Sequence, residues 1–132
     1  MKNKLLNLMI ALLGILLAVL MVFTISELYD TGRVYRYKAE DLLRFVRGQD
    51  YGNMLHCVYM NEAGGVYASE DMKECYAVAH YYEAATFYKA YAQCGKSEEA
   101  AKQKKVMEEQ KALMGTLAYT AEEIDRKLGL KN

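Results

Sequence analysis

Two histidines and the carboxylate nearest to one of them are the residues whose types and spacing could build a metal site or an acid–base pair. His56 lies beside Cys57 on the predicted polar side of a helix, and His80 precedes Glu83 by one helical turn. A metal site requires both histidines to converge with further ligands, and no zinc-type spacing of cysteine and histidine arranges that convergence. The sequence therefore favours two surface or hydrogen-bonded histidines, with a metal-binding or enzymatic domain using His56, His80 and Glu83 as the alternative.

The other reactive side chains are those of three cysteines, Cys57, Cys75 and Cys94. Outside the membrane an odd number leaves at least one thiol unpaired, and a disulfide between Cys57 and Cys75 is one interpretation of the other two. The interpretation that we favour is three free thiols that are buried or partly buried and pack as small apolar residues. The sequence contains no nucleophile elbow and no phosphate-binding loop, so we expect no catalytic activity and no cofactor.

An apolar run without any charged residue begins at Leu5 and ends at Ile25. At an α-helical rise it covers about 31 Å, which matches the roughly 30 Å hydrocarbon thickness of a bilayer. Its Leu, Ile, Val and Phe side chains contribute on the order of −4 to −8 kcal/mol to membrane insertion. The run therefore predicts a helix that crosses the lipid bilayer. Gly14 and Ala18 are four residues apart in it, a spacing of small residues that favours a homo-oligomer of crossing helices.

Charges on the two sides of this run predict its orientation. Lys2, Lys4 and the amino group precede it, whereas Glu27 and Asp30 follow it before the next basic residue. Because a positive amino terminus normally stays in the cytoplasm, we expect a single-pass protein of the cell membrane with an extracytoplasmic C-terminal domain. The alternative is a secreted helical domain whose signal peptide is cleaved, although the run exceeds the about 7 to 15 apolar residues of a signal core.

Composition limits the nature of the chain beyond the predicted anchor. The chain of 132 residues carries 17 basic and 17 acidic side chains, so it lacks the basic excess that favours binding to nucleic acid. It contains no proline, which favours uninterrupted helices. We divide it into residues 1–25, the cytoplasmic N-terminus and anchor; residues 26–34, a juxtamembrane connector; and residues 35–132, an extracytoplasmic all-helical domain.

Hydrophobic periodicity predicts an all-α fold, in which one N-terminal transmembrane helix is followed by a small bundle of four to five short helices. Thr31 and Gly32 mark the place where the first helix is expected to bend or stop. The predicted helix caps are Asp50 and Ser69, and Gly129 is expected to follow the end of the last helix. Thr120 and Glu123 have the spacing of a capping box. The predicted helices of the bundle cover residues 33–47, 51–62, 69–94, 98–114 and 120–128. The third carries few charges on any side, so we expect it at the centre.

An aromatic-rich helix, a glycine turn and a small residue early in the next helix succeed one another in residues 81–111. The residues at these positions are Ala84, Phe87, Tyr91, Gly95 and Ala100. Their offsets resemble those of one tetratricopeptide-repeat hairpin. Tyr88 stands where the repeat has a small residue, Lys104 where it has an aromatic one, and no proline closes the unit. The resemblance implies a scaffold that binds protein.

Tyrosines of the same hairpin are the candidate partner-binding residues. The chain has 12 tyrosines, and Tyr81, Tyr82, Tyr88 and Tyr91 all belong to this hairpin. An aromatic ring that ends in a hydroxyl combines apolar contact area with a hydrogen-bonding group, which is typical of protein interfaces. We therefore predict a membrane-anchored helical protein-interaction module or accessory subunit without catalytic activity, whose protein partner the sequence does not identify.

Overall fold

A computed structural model describes residues 2–33, 37–65 and 68–130 of the chain. In those three ranges the chain is helical and has no β-strand, which confirms the predicted all-α class. The chain divides into two compact units, Met1–Tyr35 and Arg36–Asn132. The predicted start of the domain at residue 35 lies outside the described residues.

Six α-helices and one 3₁₀ turn make up the described structure. They are α1 (Lys2–Arg33), α2 (Ala39–Arg47), α3 (Tyr51–Ala63), α4 (Lys73–Gln93), α5 (Ser97–Leu113), the 3₁₀ turn (Gly115–Leu117) and α6 (Thr120–Leu128). The predicted bounds of the second to fifth bundle helices differ from these by a few residues at most. The first bundle helix begins at Ala39 rather than at residue 33, because Lys38 lies in an extended conformation and its N–H is bonded to the Asp41 carboxylate (3.1 Å).

The first unit consists of α1, which is long and apolar enough to cross a membrane. Its apolar stretch Leu6–Ser26 has a mean hydropathy of 3.0, and no part of that stretch is buried within the chain. We expected α1 to bend or stop at Thr31 and Gly32, and it ends one residue later, at Arg33. A lone glycine costs a helix only about 1 kcal/mol, and no proline is present to end the helix earlier.

The second unit is built around α4, as predicted. The helices α2, α3, α5 and α6 all pack on α4, and α5 makes the most extensive contact. Close approach is possible because α4 presents small side chains on several sides: Ala77, Ala79, Ala84 and Ala85 are all buried. The turn from α4 into α5 is made by Gly95, whose φ of 70° is in the left-handed region that glycine adopts without strain.

The N-termini of α4 and α6 differ from the predicted caps. Ser69 does not cap α4, because its hydroxyl donates to the Asp71 carboxylate and the chain turns once more before the helix begins at Lys73. Thr120 and Glu123 do not form a capping box. Thr120 is fully buried inside the first turn of α6 and donates to the carbonyl oxygen of Leu117 (2.7 Å). The preceding 3₁₀ turn leads directly into the helix, so the capping role is not needed.

A buried asparagine in α3 holds the start of the second unit. Asn61 is 1% exposed, and its Oδ1 accepts from the backbone N–H of Tyr37 while its Nδ2 donates to the carbonyl of Tyr37, both at 2.9 Å. The carboxamide thus satisfies both the backbone N–H and the backbone C=O of Tyr37, as a neighbouring β-strand would. This pair of bonds fixes the segment before α2 against α3.

Candidate functional site

The four predicted partner-binding tyrosines lie in three different surroundings on α4. Tyr81 is only 3% exposed, and its hydroxyl donates to the Asp125 carboxylate of α6 at 2.9 Å. Tyr82 is half-buried and its ring lies 6.0 Å from the ring of Tyr51, centroid to centroid. These two residues therefore join α4 to its neighbours, and the prediction that they take part in a partner-binding surface stays a prediction.

Tyr88 and Tyr91 are half-buried and lie nearer the end of α4. Tyr88 and Tyr81 line the same open groove of about 300 Å³ where α4, α5 and α6 meet, and its charged residues are two lysines and two acids, namely Lys104, Lys111, Glu108 and Asp125. Tyr91 stacks with Phe87 at a centroid distance of 6.2 Å, and the Lys96 ammonium lies 5.9 Å from the centre of the Tyr91 ring. This end of α4 presents aromatic surface that already contacts one cation of the chain itself.

A cluster of four polar side chains joins α3 to α4 at the surface. His80 Nε2 lies 3.0 Å from Glu62 Oε1, and His80 Nδ1 lies 3.5 Å from Glu83 Oε2. The Tyr59 hydroxyl donates to the other oxygen of Glu83, and the Tyr59 and His80 rings meet edge to face. We call these residues, Tyr59, Glu62, His80 and Glu83, the His80 cluster.

The protonation of His80 decides which bonds of the cluster form. A neutral imidazole donates from one ring nitrogen only, whereas an imidazolium donates from both. With the neutral ring, one of the two carboxylates faces a lone pair and is left without its hydrogen bond from His80. In either form the ring lies between the two carboxylates and can donate to at least one of them.

The pKa is raised both for Tyr59, the one tyrosine of this cluster, and for two tyrosines of the interior. The hydrogen bond to Glu83, with burial and the nearby carboxylates, raises the pKa of Tyr59 to about 12. Burial, followed by hydrogen bonds to Glu123 and Asp125 respectively, raises the pKa of Tyr51 and of Tyr81 well above the usual value. In each case a carboxylate beside the hydroxyl disfavours the tyrosinate form.

The cluster opens onto a groove between α4 and α5. This α4–α5 groove has a volume of about 440 Å³ and is lined on the α4 side by His80, Glu83 and Phe87, and on the α5 side by Gln103, Val106 and Gln110. Phe87 is 45% exposed in spite of its size. The lining combines apolar side chains with His80, Glu83 and two glutamines, so the groove offers both apolar contact and hydrogen-bonding groups.

The remaining candidate residues lie apart from this groove. His56 is exposed on α3 and does not belong to the His80 cluster. All three cysteines are free: Cys57 and Cys75 are buried and Cys94 is exposed. Burial raises the pKa of the Cys75 thiol to about 11, which disfavours the nucleophilic thiolate. Across the described ranges, no group of three His, Cys, Asp or Glu side chains is arranged to hold a metal ion.

Sequence reasoning identified His80 with Glu83 but missed Glu62 and Tyr59. Glu62 and His80 are 18 residues apart in the sequence, and Tyr59 and Glu83 are 24 apart. The only signal was a pair of matching spacings, since Glu62 comes after Tyr59 and Glu83 after His80 by one helical turn each. Only the packing of α3 on α4 brings the two pairs together.

No protein-family model, curated protein or solved structure matches this chain. The resemblance of residues 81–111 to a tetratricopeptide-repeat hairpin therefore stays a prediction. Two features of the described residues remain as the basis for a function: an apolar helix without buried surface, and a helical domain with a partly apolar groove.

Proposed function

We propose that the chain is a single-pass membrane protein whose helical domain binds a protein partner outside the cytoplasm. In this proposal α1 is the anchor, the N-terminus is cytoplasmic, and the domain after it acts as an interaction module or accessory subunit without catalysis of its own.

The observation that carries the proposal is the complete exposure of an apolar helix. No part of Leu6–Ser26 is buried, whereas the core helix of a water-soluble protein buries at least one face. In water such a helix would expose large side chains on all sides, and a lipid bilayer covers them without any protein contact. The hydroxyl of Thr24 also needs no outside partner, since it donates to the backbone carbonyl of Leu20 at 3.0 Å.

The second unit supports a division into anchor and module. Its core consists of residues from α2 to α6, including Leu42, Met54, Val78, Met114 and Ile124, all of which are completely buried. No buried residue of this core comes from the described part of α1. A domain that completes its own core has its outer surface available for a partner.

Binding is favoured over catalysis by what the surface presents. Phe87 and Tyr59 are each more than two-fifths exposed and both lie at the α4–α5 groove or the His80 cluster beside it. Large apolar side chains grouped at a rim of polar residues are characteristic of interaction sites. A second candidate function, a metal-binding or enzymatic domain, is favoured by one observation only, the position of His80 between Glu62 and Glu83.

The exposed thiol of Cys94 allows the topology to be tested in the natural chain. A membrane-impermeant maleimide applied to sealed cells is expected to label Cys94, because Cys57 and Cys75 are buried. The matched control carries Asn3→Cys in a Cys94→Ser background and is expected to react only after the membrane is opened. The opposite pattern would show the reverse orientation.

Extraction and N-terminal sequencing of the same preparation separate an anchor from a cleaved signal. We expect the chain to stay with membranes in alkaline carbonate and to keep its first residues. A mature chain that begins near residue 27 and dissolves without detergent would instead support the secreted alternative.

Partner binding and metal binding are distinguished by two further measurements. Proximity labelling from a C-terminal fusion is expected to recover a discrete partner, and recovery of background proteins alone would contradict the interaction module. Stoichiometric metal in the purified chain would favour the second candidate.

Self-association through Gly14 and Ala18 stays a prediction. A Cβ added at Gly14 would meet nothing within 4 Å in the chain, so packing within α1 gives no reason for a glycine there. Crosslinking in membranes that yields monomers alone would reject it.

A further inference from the structure

Positive charge is concentrated in the part of the chain that follows α1. Residues 33–47 carry five basic and two acidic side chains, a formal charge of +3, whereas residues 48–132 carry ten basic and thirteen acidic ones, a formal charge of −3. Four of the five arginines of the chain belong to the first range. The positive excess beyond α1 therefore lies next to the apolar helix in the sequence.

Three of these basic residues belong to the described surface of the helical domain. Lys38, Arg44 and Arg47 are all exposed. The two arginines occupy the last turn of α2, whereas Glu40 and Asp41 lie in its first turn. The positive end of the helix dipole offsets acidic charge in a first turn. The two kinds of charge are thus separated along α2, and its C-terminal end is basic.

Both arginines of α2 have N–H donors to spare. Arg44 donates to Asp41 through Nη2 alone (2.8 Å), and 74% of its side chain stays exposed. Because a guanidinium has five N–H donors, this single bond leaves most of them free. Arg47 has no hydrogen-bond or ion-pair partner among the described residues. The end of α2 can therefore take up an anion without first breaking a contact of the fold.

The core side of α2 fixes where its arginines point. Leu42 and Val46 are buried one helical turn apart and attach α2 to the domain core. Arg44 and Arg47 are three residues apart and share the solvent-facing side. Phe45, between them in the sequence, is half-buried. Two guanidinium groups beside part of an aromatic ring suit the boundary between lipid headgroups and apolar chains.

The lysines of α5 provide a comparison within the same domain. This helix contains four lysines and four glutamates. Ion pairs join Lys102 to Glu98 at 3.0 Å and Lys105 to Glu109 at 3.8 Å. The positive charge of α5 is therefore balanced within the helix, so an anionic surface gains no net attraction from it.

We propose that Lys38, Arg44 and Arg47 bind the anionic headgroups of the bilayer that α1 crosses. This inference rests on the membrane anchor of the proposed function and specifies a second contact with the same membrane. Two independent observations point to this ligand. The exposed apolar helix indicates a bilayer, and the basic excess next to it indicates anionic charge on that bilayer. A guanidinium also donates two parallel bonds to a phosphate, the group that anionic headgroups present.

The length of chain between the anchor and α2 allows both membrane contacts. Seven residues of helix separate Ser26 from Arg33, or about 10 Å. Lys38 follows five residues later, a distance of at most about 18 Å. A tether of this length keeps α2 at a high effective concentration near the headgroups. An acidic protein segment would be the other ligand class for these arginines, but it lacks that advantage.

Tryptophan fluorescence of the full-length chain in nanodiscs tests this inference. The chain contains no tryptophan, so Phe45→Trp introduces a single fluorophore between the two arginines. The quencher is a lipid with a spin label on its headgroup, in nanodiscs of phosphatidylcholine with or without phosphatidylglycerol. We expect phosphatidylglycerol to raise the quenching about twofold, and Arg44→Gln with Arg47→Gln to abolish that rise.

The matched control combines Lys102→Gln with Lys105→Gln, because it removes the same amount of positive charge from α5. It is expected to keep the full rise in quenching. Thermal unfolding of every variant verifies that the domain is folded. If Phe45→Trp is not, hydrogen exchange of the α2 amides in the natural chain takes its place, and exchange is expected to be slower in the anionic nanodiscs.

The outcomes separate this inference from the anchor on which it rests. Equal quenching with and without phosphatidylglycerol would overturn the headgroup contact and leave the anchor intact. The same holds if the lysine pair abolishes the rise as completely as the arginine pair does. A chain that cannot be reconstituted into nanodiscs would contradict the anchor itself, and with it this inference.

Discussion

Tyrosine–carboxylate hydrogen bonds occur in two regions of the helical domain and have different consequences in each. In the interior, Tyr51 bonds to Glu123 and Tyr81 to Asp125, and both connect α6 to other helices. At the surface, Tyr59 bonds to Glu83 within the His80 cluster while 42% of Tyr59 is exposed. The same chemical pair thus joins helices through almost fully buried rings in one region and through an exposed ring in the other.

Removing a ring should reveal the largest difference between the two regions. Tyr51→Ala is expected to lower the free energy of unfolding by about 3–5 kcal/mol, because Tyr51 is 1% exposed and its loss leaves a cavity. Tyr59→Ala is the matched change at the surface, with an expected effect of about 0.5 kcal/mol. Urea denaturation of the full chain in detergent measures both. Equal losses would contradict the division into interior and surface pairs.

Removing an interior acceptor should have the next largest effect. Asp125→Ala leaves the buried hydroxyl of Tyr81 without its partner, and an unsatisfied buried group costs about 1–3 kcal/mol. Tyr81→Phe removes the hydroxyl itself, so no buried donor is left without a partner. We expect it to lower the free energy of unfolding by less than Asp125→Ala does. If Asp125→Ala proves neutral, the bond does not stabilise the packing of α6.

Alkaline pH should weaken the domain through its interior tyrosines. Their pKa values are raised in the folded state, so the unfolded chain loses these protons first, near the ordinary tyrosine pKa of about 10. The contribution of these tyrosines to the free energy of unfolding is therefore fully present below about pH 10. It decreases above that pH, by about 1.4 kcal/mol per interior tyrosine at pH 11.

Denaturation between pH 8 and pH 11 measures this decline, and Tyr51→Phe and Tyr81→Phe should each make it shallower. Tyr59→Phe is the surface comparison: the pKa of Tyr59 is also raised, but solvent screens its carboxylate partner, so we expect this substitution to flatten the slope less than either interior one. A slope that neither interior substitution changes would show that other groups cause the decline.

Substitution of His80 should have the smallest effect on stability. His80→Gln keeps one polar contact and acts at half-buried, solvent-accessible carboxylates, so we expect a change of about 0.5 kcal/mol or less. A loss of 2 kcal/mol or more in the same denaturation assay, on the order of a buried ion pair, would show that the cluster stabilises the fold as a core element does.

Local sequence patterns predicted most of the helices, because the start, end and apolar face of a helix depend on residues that are close together in the sequence. Asp50 was identified as a cap for α3, and its carboxylate does accept from the backbone N–H of Asn53 (3.4 Å). Gly129 was expected to end α6 and has a φ of 69° that closes it. The Thr120–Glu123 spacing wrongly predicted a capping box, because the Glu123 carboxylate instead accepts a hydrogen bond from Tyr51, which is 72 residues away in the sequence.

The candidate site was less predictable for the same physical reason. His80 and Glu83 share one helix, so their spacing is visible in the sequence. The contribution of Glu62 and Tyr59, and the groove beyond them, depends on how three helices pack against each other. Tyr81 was grouped with three other tyrosines because type and proximity suggested a common surface; helical rotation leaves only 3% of it exposed, although it lines the same groove as Tyr88.

The two hydrogen bonds between the Asn61 side chain and the backbone of Tyr37 have a mechanical consequence. Tyr37 is the first described residue of the helical domain, and one carboxamide holds both of its backbone groups. Tension applied to the chain at Tyr37 would load these two bonds in parallel. Because Asn61 is part of α3, the pull would pass into a core helix rather than unravel the domain from its end.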